Sequence, residues 1–477
     1  MLGTEIFAVL VYVGILFAIA FLSFKRRQTS KDFILGGRSL GFWLTAFAAH
    51  SSDMSSWLLM GYPAVIFGKG LFQAWVAVGL VIFMFINWHL IAPRIRMMTE
   101  RYGSMTFSSY FESRFADTSG WILFFTALMQ LIFYAFYITA GLVAMGLLIK
   151  SLFGVSYHLG ITISVLIVIP YLFIGGYRTL AFTDAFQALF MLAVLILVPI
   201  LALGKIGSFA DVGAALQAKN LSVKLLPNFS LATWKGALFA ALSWGLGYFG
   251  QPHIITKFMG IQDVKNMYKS KYVGMSWQII TLGCATMIGL MGVAFFPEGV
   301  PNTELLFVDM VRTLFFPFLG AFVLCAILAA TISTMDSQIL VLASSFAEDF
   351  YKRMVRKNAS SKEILFVSRL SIFVISLIAW AIAYQNENSI YHLVEYAWYG
   401  LGSAFGPLII ASLYAKRVNK YGAWAGILIG GGVAAIWPLV PSNLPTLLPG
   451  FTLGMVSIFL VSWVTRNKNP HCVTLLD

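Results

Sequence analysis

Charged side chains are scarce in this chain. Asp, Glu, Lys and Arg make up 11 % of its 477 residues, against about 25 % in an ordinary soluble domain. Hydrophobic residues reach 59 % and the mean hydropathy is +0.84. A globular core cannot absorb that much apolar surface, which excludes a soluble enzyme and a disordered chain. The three cysteines, Cys284, Cys325 and Cys472, are too few and too scattered for a disulfide framework or a zinc site. GxSxG, HExxH and GxxxxGK[ST] strings are missing, so no hydrolase or phosphate-cradling motif is in view. No segment has the make-up of a soluble nucleotide-hydrolysing domain. What remains is an all-α polytopic membrane protein that is not an enzyme.

Apolar runs of about 20 residues cross about 30 Å of hydrocarbon as helix. Such runs are predicted at 5–24, 40–67, 71–92, 120–149, 157–175, 185–204, 231–256, 273–296, 306–346, 364–384, 389–414, 421–440 and 445–465. The run at 306–346 is too long for one crossing, so a short outer helix is expected before it. No basic stretch precedes the first run and Lys25-Arg26-Arg27 follows it, the pattern of a retained anchor rather than a cleaved signal peptide. Thirteen crossings put the termini on opposite sides. With the N-terminus outside and the C-terminus inside, 25 of the 32 Lys and Arg residues fall on inner loops. The net charge of +13 then reflects topology and contact with anionic membrane lipids, and nucleic-acid binding is not called for.

Two stretches resist uniform helix. Ala48-Ala49-His50-Ser51-Ser52-Asp53-Met54-Ser55-Ser56-Trp57 is densely polar in the middle of the second run. Trp244-Gly245-Leu246-Gly247-Tyr248-Phe249-Gly250-Gln251-Pro252-His253 carries three glycines and a proline in the seventh. They lie five crossings apart, so a second five-helix unit enters from the opposite face. That is the arithmetic of an inverted repeat, with broken helices at its binding site. The repeats are predicted at about 40–204 and 231–414, within a single transporter domain. The helices at 5–24, 421–440 and 445–465 lie outside them.

An ionisable residue inside the membrane costs about 2.5–3.5 kcal/mol and usually marks function. Asp53, Asp184 and Asp336 qualify, with Glu395 near the outer half of the eleventh run. The hydroxyls around Asp53, together with Ser333, Thr334 and Ser337, offer the hard oxygen ligands an alkali cation prefers. The plainer alternatives are serines bonded one turn back and a polar helix contact. Asp184 follows Gly175-Gly176-Tyr177-Arg178 at the start of the sixth run, where it either pairs with Arg178, caps the helix, or shares a second cation with Asp336. Trp244, Tyr248 and Tyr137 line a small-solute cavity or simply pack. The Gly422, Gly426, Gly430 ladder reads as a helix-packing face.

The strings Ile34-Leu35-Gly36-Gly37-Arg38-Ser39-Leu40-Gly41, Ser52-Asp53-Met54-Ser55, Trp57-Leu58-Leu59-Met60-Gly61, the whole of 244–253, Ala326-Ile327-Leu328-Ala329-Ala330, Ser333-Thr334 and Ala404-Phe405-Gly406-Pro407 carry a resemblance. From about Phe33 to Gly450 the chain resembles the sodium/solute symporter family, and within it the bacterial sodium/proline symporters. The resemblance implies a leucine-transporter-like core of two inverted five-helix repeats, in a bacterial inner membrane. It also implies Na+-driven uptake of a small solute such as L-proline by alternating access. It implies sodium ligands at Ser51, Met54, Ala330, Ser333 and Thr334, with main-chain carbonyls contributing. Asp53 and Ser55 match coupling positions, and the solute pocket falls on Ser56, Trp57, Gly61, Tyr137, Trp244, Tyr248 and Pro252. Two positions depart from the proline symporters. Ser56 stands where they carry glycine, which leaves pantothenate, a sugar or a sialic acid as alternative solutes. Asp336 and Ser337 are similar to other branches, some of which use this region with the Asp184 position for a second sodium. Proton coupling through Asp53, His50 or Asp336 is the remaining alternative.

Overall fold

A computed structural model describes residues 2–24, 29–174, 176–385 and 389–466. Lys25, Arg26, Arg27, Gly175, Lys468 and Cys472 lie outside the described residues. Helix dominates because backbone N–H and C=O groups in lipid must be satisfied within their own segment. The first half runs α1 Leu2–Ser23, α2 Ser30–Leu35, α3 Phe42–Met54, α4 Gly61–Lys69, α5 Trp75–Ile86, α6 Ala92–Arg101, α7 Phe107–Arg114, α8 Trp121–Phe153, α9 Tyr157–Ile174 and α10 Tyr177–Ile206. The second runs α11 Phe209–Ala218, α12 Leu231–Gly245, α13 Pro252–Met259, α14 Met267–Phe295, α15 Leu306–Leu314, α16 Pro317–Ser344, α17 Ser361–Gln385, α18 Ile390–Tyr414, α19 Lys420–Ile436 and α20 Leu447–Val464.

Among the described residues, nine helices are long and apolar enough to cross a bilayer. They coincide with nine of the predicted runs. The other four runs hold helix too: α3–α4, α9, α12–α13 and α18. The short helix expected before 317 is α15. Several boundaries differ from the sequence expectation. A π turn at Asn87–Ile91 joins α5 to α6 and carries the third run on to Arg101, and α10 begins at Tyr177 rather than 185. Asp184 therefore sits about two turns inside α10, where it caps nothing.

Both interruptions are present. The first begins later than the sequence suggests: α3 holds the polar stretch as helix through Met54, and the chain breaks at Ser55, whose φ of 46° and ψ of −174° leave the helical region, then runs as a 3₁₀ stretch at Ser56–Leu58 before α4 starts at Gly61. The second spans a 3₁₀ stretch at Leu246–Gly250, and Pro252 opens α13. A proline there costs no hydrogen bond, since the first turn has no acceptor for its N–H. At one end the two broken segments are tied together: Leu40 N donates to the Gly260 carbonyl at 3.2 Å and Gln262 N to the Leu40 carbonyl at 2.9 Å. Arg38 reinforces this tie, donating to the carbonyls of Met259 at 3.0 Å and Ser104 at 2.9 Å. Burial, and next the nearby Arg96, lower its guanidinium to about 10, so it stays charged at neutral pH.

Glycine sets how closely the helices approach. A Cβ on Gly79 of α5 would lie 2.1 Å from the Ala241 carbonyl oxygen of α12. Cβ atoms on Gly422, Gly426 and Gly430 would meet Ser462 Oγ at 2.0 Å, Ile458 Cγ1 at 2.3 Å and the Ser403 carbonyl oxygen at 2.2 Å. The ladder is the packing face expected of it, pressing α19 onto α20 and α18. Substituting Gly79 by Ala is expected to lower the melting midpoint in detergent by several degrees, an overpacking cost of about 1–3 kcal/mol. Gly283→Ala in α14, where no atom lies within 4 Å of the new Cβ, should leave it unchanged or slightly raised.

Candidate functional site

The break at Ser55 frees backbone groups that a buried position must satisfy. Ser55 N donates to Thr334 Oγ1 on α16 at 3.1 Å. Ser333 Oγ donates to the Ser51 carbonyl at 3.0 Å, and Thr334 Oγ1 lies 3.4 Å from the same oxygen. Both hydroxyls also reach the Ala330 carbonyl, at 3.2 and 3.1 Å. Two hydroxyls and two main-chain carbonyls thus converge, all from buried residues, with Met54 closing the last turn of α3 beside them. Ser51 Oγ is buried without a partner among the described residues. The donor set is neutral, hard oxygen, which suits an alkali cation and not a transition metal. Ser52 instead bonds back to the Ala48 carbonyl, as the plainer reading of these serines had it.

Asp53 is buried and has no basic partner among the described residues. Its Oδ2 accepts from Tyr248 Oη at 2.6 Å, and Tyr248 Oη accepts in turn from Gln278 Nε2 at 2.9 Å. The pair links the first broken segment to the second. Trp57 stacks between Tyr62 and Trp244, with ring centroids 4.9 and 4.8 Å away. Trp398 of α18 donates its Nε1 to the Trp244 carbonyl at 2.8 Å and meets Tyr248 edge-on at 5.1 Å. Gly247 is needed here, because a Cβ would fall 2.0 Å from Trp398 Nε1. Gly61 leaves room for Trp57 and for the backbone of Tyr391.

These side chains enclose a central cavity of about 10 Å³, lined by Asp53, Met54, Ser55, Trp57, Leu80, Tyr137, Trp244, Tyr248, Val394 and Trp398. That is the space of about one water, so the chain is closed around the centre. A separate, wider vestibule of about 770 Å³ lies beside it, with Lys69, Glu395, Tyr391 and Tyr399 on its wall. Trp244 borders both spaces. Ser56, Gly61 and Pro252 are buried just outside the cavity lining. Leu80, Val394 and Trp398 line it without having been singled out from sequence. For Trp398 the signal was there, in Tyr396-Ala397-Trp398-Tyr399, an aromatic cluster deep in an apolar helix.

Asp184 pairs with neither Arg178 nor a helix end. Its Oδ2 accepts from Lys257 Nζ of α13 at 2.8 Å, with both side chains buried. Arg178 lies instead over the Phe182 ring, 5.9 Å from its centroid. Asp336 is buried on α16, and Ser337 Oγ donates to its Oδ1 at 3.1 Å. His50 Nε2 accepts from Trp88 Nε1 at 3.0 Å, so that nitrogen carries no proton.

The pattern for the sodium:solute symporter family matches residues 33–430. The chain belongs to that family. The symporter is 38 % identical over 454 residues to the high-affinity proline transporter PutP of Bacillus subtilis, covering 94 % of this chain and 95 % of that one. It is 37 % identical over 462 residues to the sodium/proline symporter of Escherichia coli, covering 95 % and 91 %. Among solved structures, a Na+-coupled sialic acid symporter in its substrate-bound outward-open state superposes with a TM-score of 0.83 at 18 % identity, over 98 % of both chains. MhsT in complex with L-phenylalanine gives 0.58 at 15 %, over 89 % of this chain and 98 % of that one. The fold is accordingly the leucine-transporter-like one expected from the motifs. In this symporter, Tyr248→Phe leaves the Asp53 carboxylate without its buried donor. The expected cost is about 1.5–3 kcal/mol, read as a lower melting midpoint and at least a tenfold loss of solute affinity by calorimetry.

Proposed function

We propose that this symporter imports L-proline together with Na+ by alternating access across a bacterial inner membrane. The observation that carries the reading is the junction of Ser51, Ala330, Ser333 and Thr334, where α16 hydroxyls meet the frayed end of α3 one residue from a buried aspartate. The relatives described above as proline transporters support the choice of solute. Sodium is assigned to Ser51, Met54, Ala330, Ser333 and Thr334. Solute is assigned to the space bounded by Asp53, Ser55, Trp57, Tyr137, Trp244 and Tyr248, with Ser56, Gly61 and Pro252 as its outer supports. An arrangement of thirteen crossings, N-terminus outside and C-terminus inside, and repeats at about 40–204 and 231–414, accompany this reading.

A cation at the junction holds α16 and the end of α3 together, because it takes oxygens from both in place of the hydroxyl-to-carbonyl hydrogen bonds that join them without it. Ser55, Trp57 and Asp53 follow directly in the chain, so their placement depends on whether the cation is bound. Asp53 then presents its carboxylate through Tyr248 to the imino group of a compact zwitterion, and Trp57, Trp244 and Trp398 close over its ring. Coupling of this kind is reciprocal: Na+ tightens solute by the factor by which solute tightens Na+. The vestibule gives solute access from outside, and the Leu40–Ile261 and Arg38 contacts keep the inner end shut. His50, with Nε2 occupied by Trp88, is poorly placed to relay a proton, which favours Na+ over H+ as the coupling ion.

Labelled L-proline uptake into proteoliposomes tests the reading. Accumulation is expected with an inward Na+ gradient and not with K+ in its place. A pH gradient alone should drive none; if it does, proton coupling replaces sodium coupling. Ser333→Ala and Thr334→Ala should each raise the Na+ concentration for half-maximal uptake about tenfold, one ligand being worth about 1.4 kcal/mol. An unchanged Na+ dependence in both variants would remove the sodium assignment.

A further inference from the structure

A cavity of about 550 Å³ lies at the end of the molecule where Arg38 ties the broken segments, since Ser104, whose carbonyl Arg38 holds, is on its wall. That volume falls within the range of about 300–1,000 Å³ usual for small-molecule sites. Its walls are α7, the turns on either side of α7, and the π turn Ser345–Val355 that continues α16. Asp349 on that turn is fifteen residues past Thr334, about 20 Å along the helix, so this space is distinct from the cation junction. Three carboxylates line it, Glu112, Glu348 and Asp349, and three cations, Lys352, Arg353 and Lys357. Their formal charges cancel. Lys352 Nζ meets Glu348 Oε2 at 2.9 Å, and Arg353 meets Glu112. Asp349 has no ion pair among the described residues; its Oδ1 accepts from Thr106 Oγ1 at 2.8 Å, and it is 2 % exposed.

Unanswered polar atoms gather on this wall. Asp349 Oδ2, Glu348 Oε1, Ser104 Oγ and Tyr102 Oη are buried with no hydrogen-bond partner among the described residues. Each such group costs about 1–3 kcal/mol while it stays unpaired. Two are carboxylate oxygens, which need a donor. Two are hydroxyls, which are free to give one. A bare cation answers the first pair alone and a bare anion the second alone. A neutral molecule with a cationic nitrogen at one end and a carboxylate at the other answers all four, and it enters a wall of no net charge.

We propose that this cavity is a second ligand site, which takes a small amino- or imino-acid zwitterion with its nitrogen on Asp349 and Glu348 and its carboxylate towards Ser104, Tyr102 and Lys357. The inference goes beyond the transport reading and stands on the geometry of this cavity. A ligand that spans Asp349 and Ser104 joins the end of α16 to the loop that receives Arg38. Occupancy then favours the state in which that end is shut, by its difference in affinity between the shut and open forms. Solute that accumulates on that side of the membrane thereby slows further opening.

Protection from labelling tests the site without relying on transport. Thr118→Cys puts a thiol on the exposed part of the wall, in a chain where Cys284→Ser and Cys472→Ser leave only the buried Cys325. Its reaction with a membrane-impermeant maleimide is followed in detergent, in K+ buffer free of Na+. L-proline and glycine should each slow the reaction several-fold, whereas pyrrolidine and acetate, which carry one charge each, should not. Asp349→Asn should abolish the protection, and the exposed Lys357→Gln, which does not threaten folding, should weaken it. Tyr248→Phe, which alters the central cavity, should leave it intact. No protection by either zwitterion overturns the proposal. So does protection by pyrrolidine or acetate alone, which marks a simple ion site. Protection lost in Tyr248→Phe but kept in both Asp349→Asn and Lys357→Gln is a report from the central cavity, and overturns it too.

Discussion

Everything central to this molecule follows from the need to satisfy a broken backbone where no water is at hand. A helix that stops in the middle of a membrane exposes amide and carbonyl groups, each worth several kcal/mol if left unpaired. The chain answers with side chains from another helix. Thr334 Oγ1 takes the N–H of Ser55, and Ser333 reaches the Ser51 carbonyl. The groups that repair the break are of the kind that bind an alkali ion, so in the sodium site proposed here structural necessity and ion binding draw on the same atoms. That economy explains why the hydroxyls cluster on α16 and why Ala326, Ala329 and Ala330 precede them: only small residues let α16 come near enough to α3.

Close approach recurs on both sides of the second broken segment. Gly79 against Ala241 and Gly247 against Trp398 put backbone directly on backbone or ring. Such faces lack interlocking side chains, and helices sharing them can slide or rock with less repacking than a leucine-filled interface allows. The aromatic residues do the opposite. Trp57, Trp244, Trp398 and Tyr248 form one connected set around the central cavity, large and stiff, with few rotamers to lose on closing.

Much of this was legible before any coordinates. The two interruptions could be read because glycine, proline and a run of hydroxyls are anomalous inside apolar segments, and the anomaly is local. The Ser333–Thr334 pair could be read for the same reason. What local pattern cannot give is the partner across the fold. Arg178, six residues from Asp184, was the natural partner on spacing, yet Lys257 is the one that pairs with it, because α13 ends where α10 passes. Trp398 was passed over because a tryptophan in an apolar helix is ordinary, and only the packing of α18 against the Leu246–Gly250 stretch makes it a cavity wall. The start of the first break was placed too early because polar residues suggest non-helical chain. Here Ser51, Ser52 and Asp53 keep helical geometry to Met54, Ser55 at positive φ begins the break, and a 3₁₀ stretch at Ser56–Leu58 continues it.

The backbone tie between Leu40 and the Gly260–Gln262 segment gives the two interrupted helices a common seam at one end, while at the other they flank an open vestibule. Their freedom is that of two book covers sharing a spine. Movement that opens the far edge can leave the seam intact, whereas passage through the seam has to unzip main-chain pairs and pull Arg38 from its carbonyls. The two ends of the molecule are therefore unequal doors: at the vestibule end Glu304 clasps the start of α18 through Ser389, Ile390 and Tyr391, and the other end is stitched shut by main-chain bonds between the broken segments and must be unpicked.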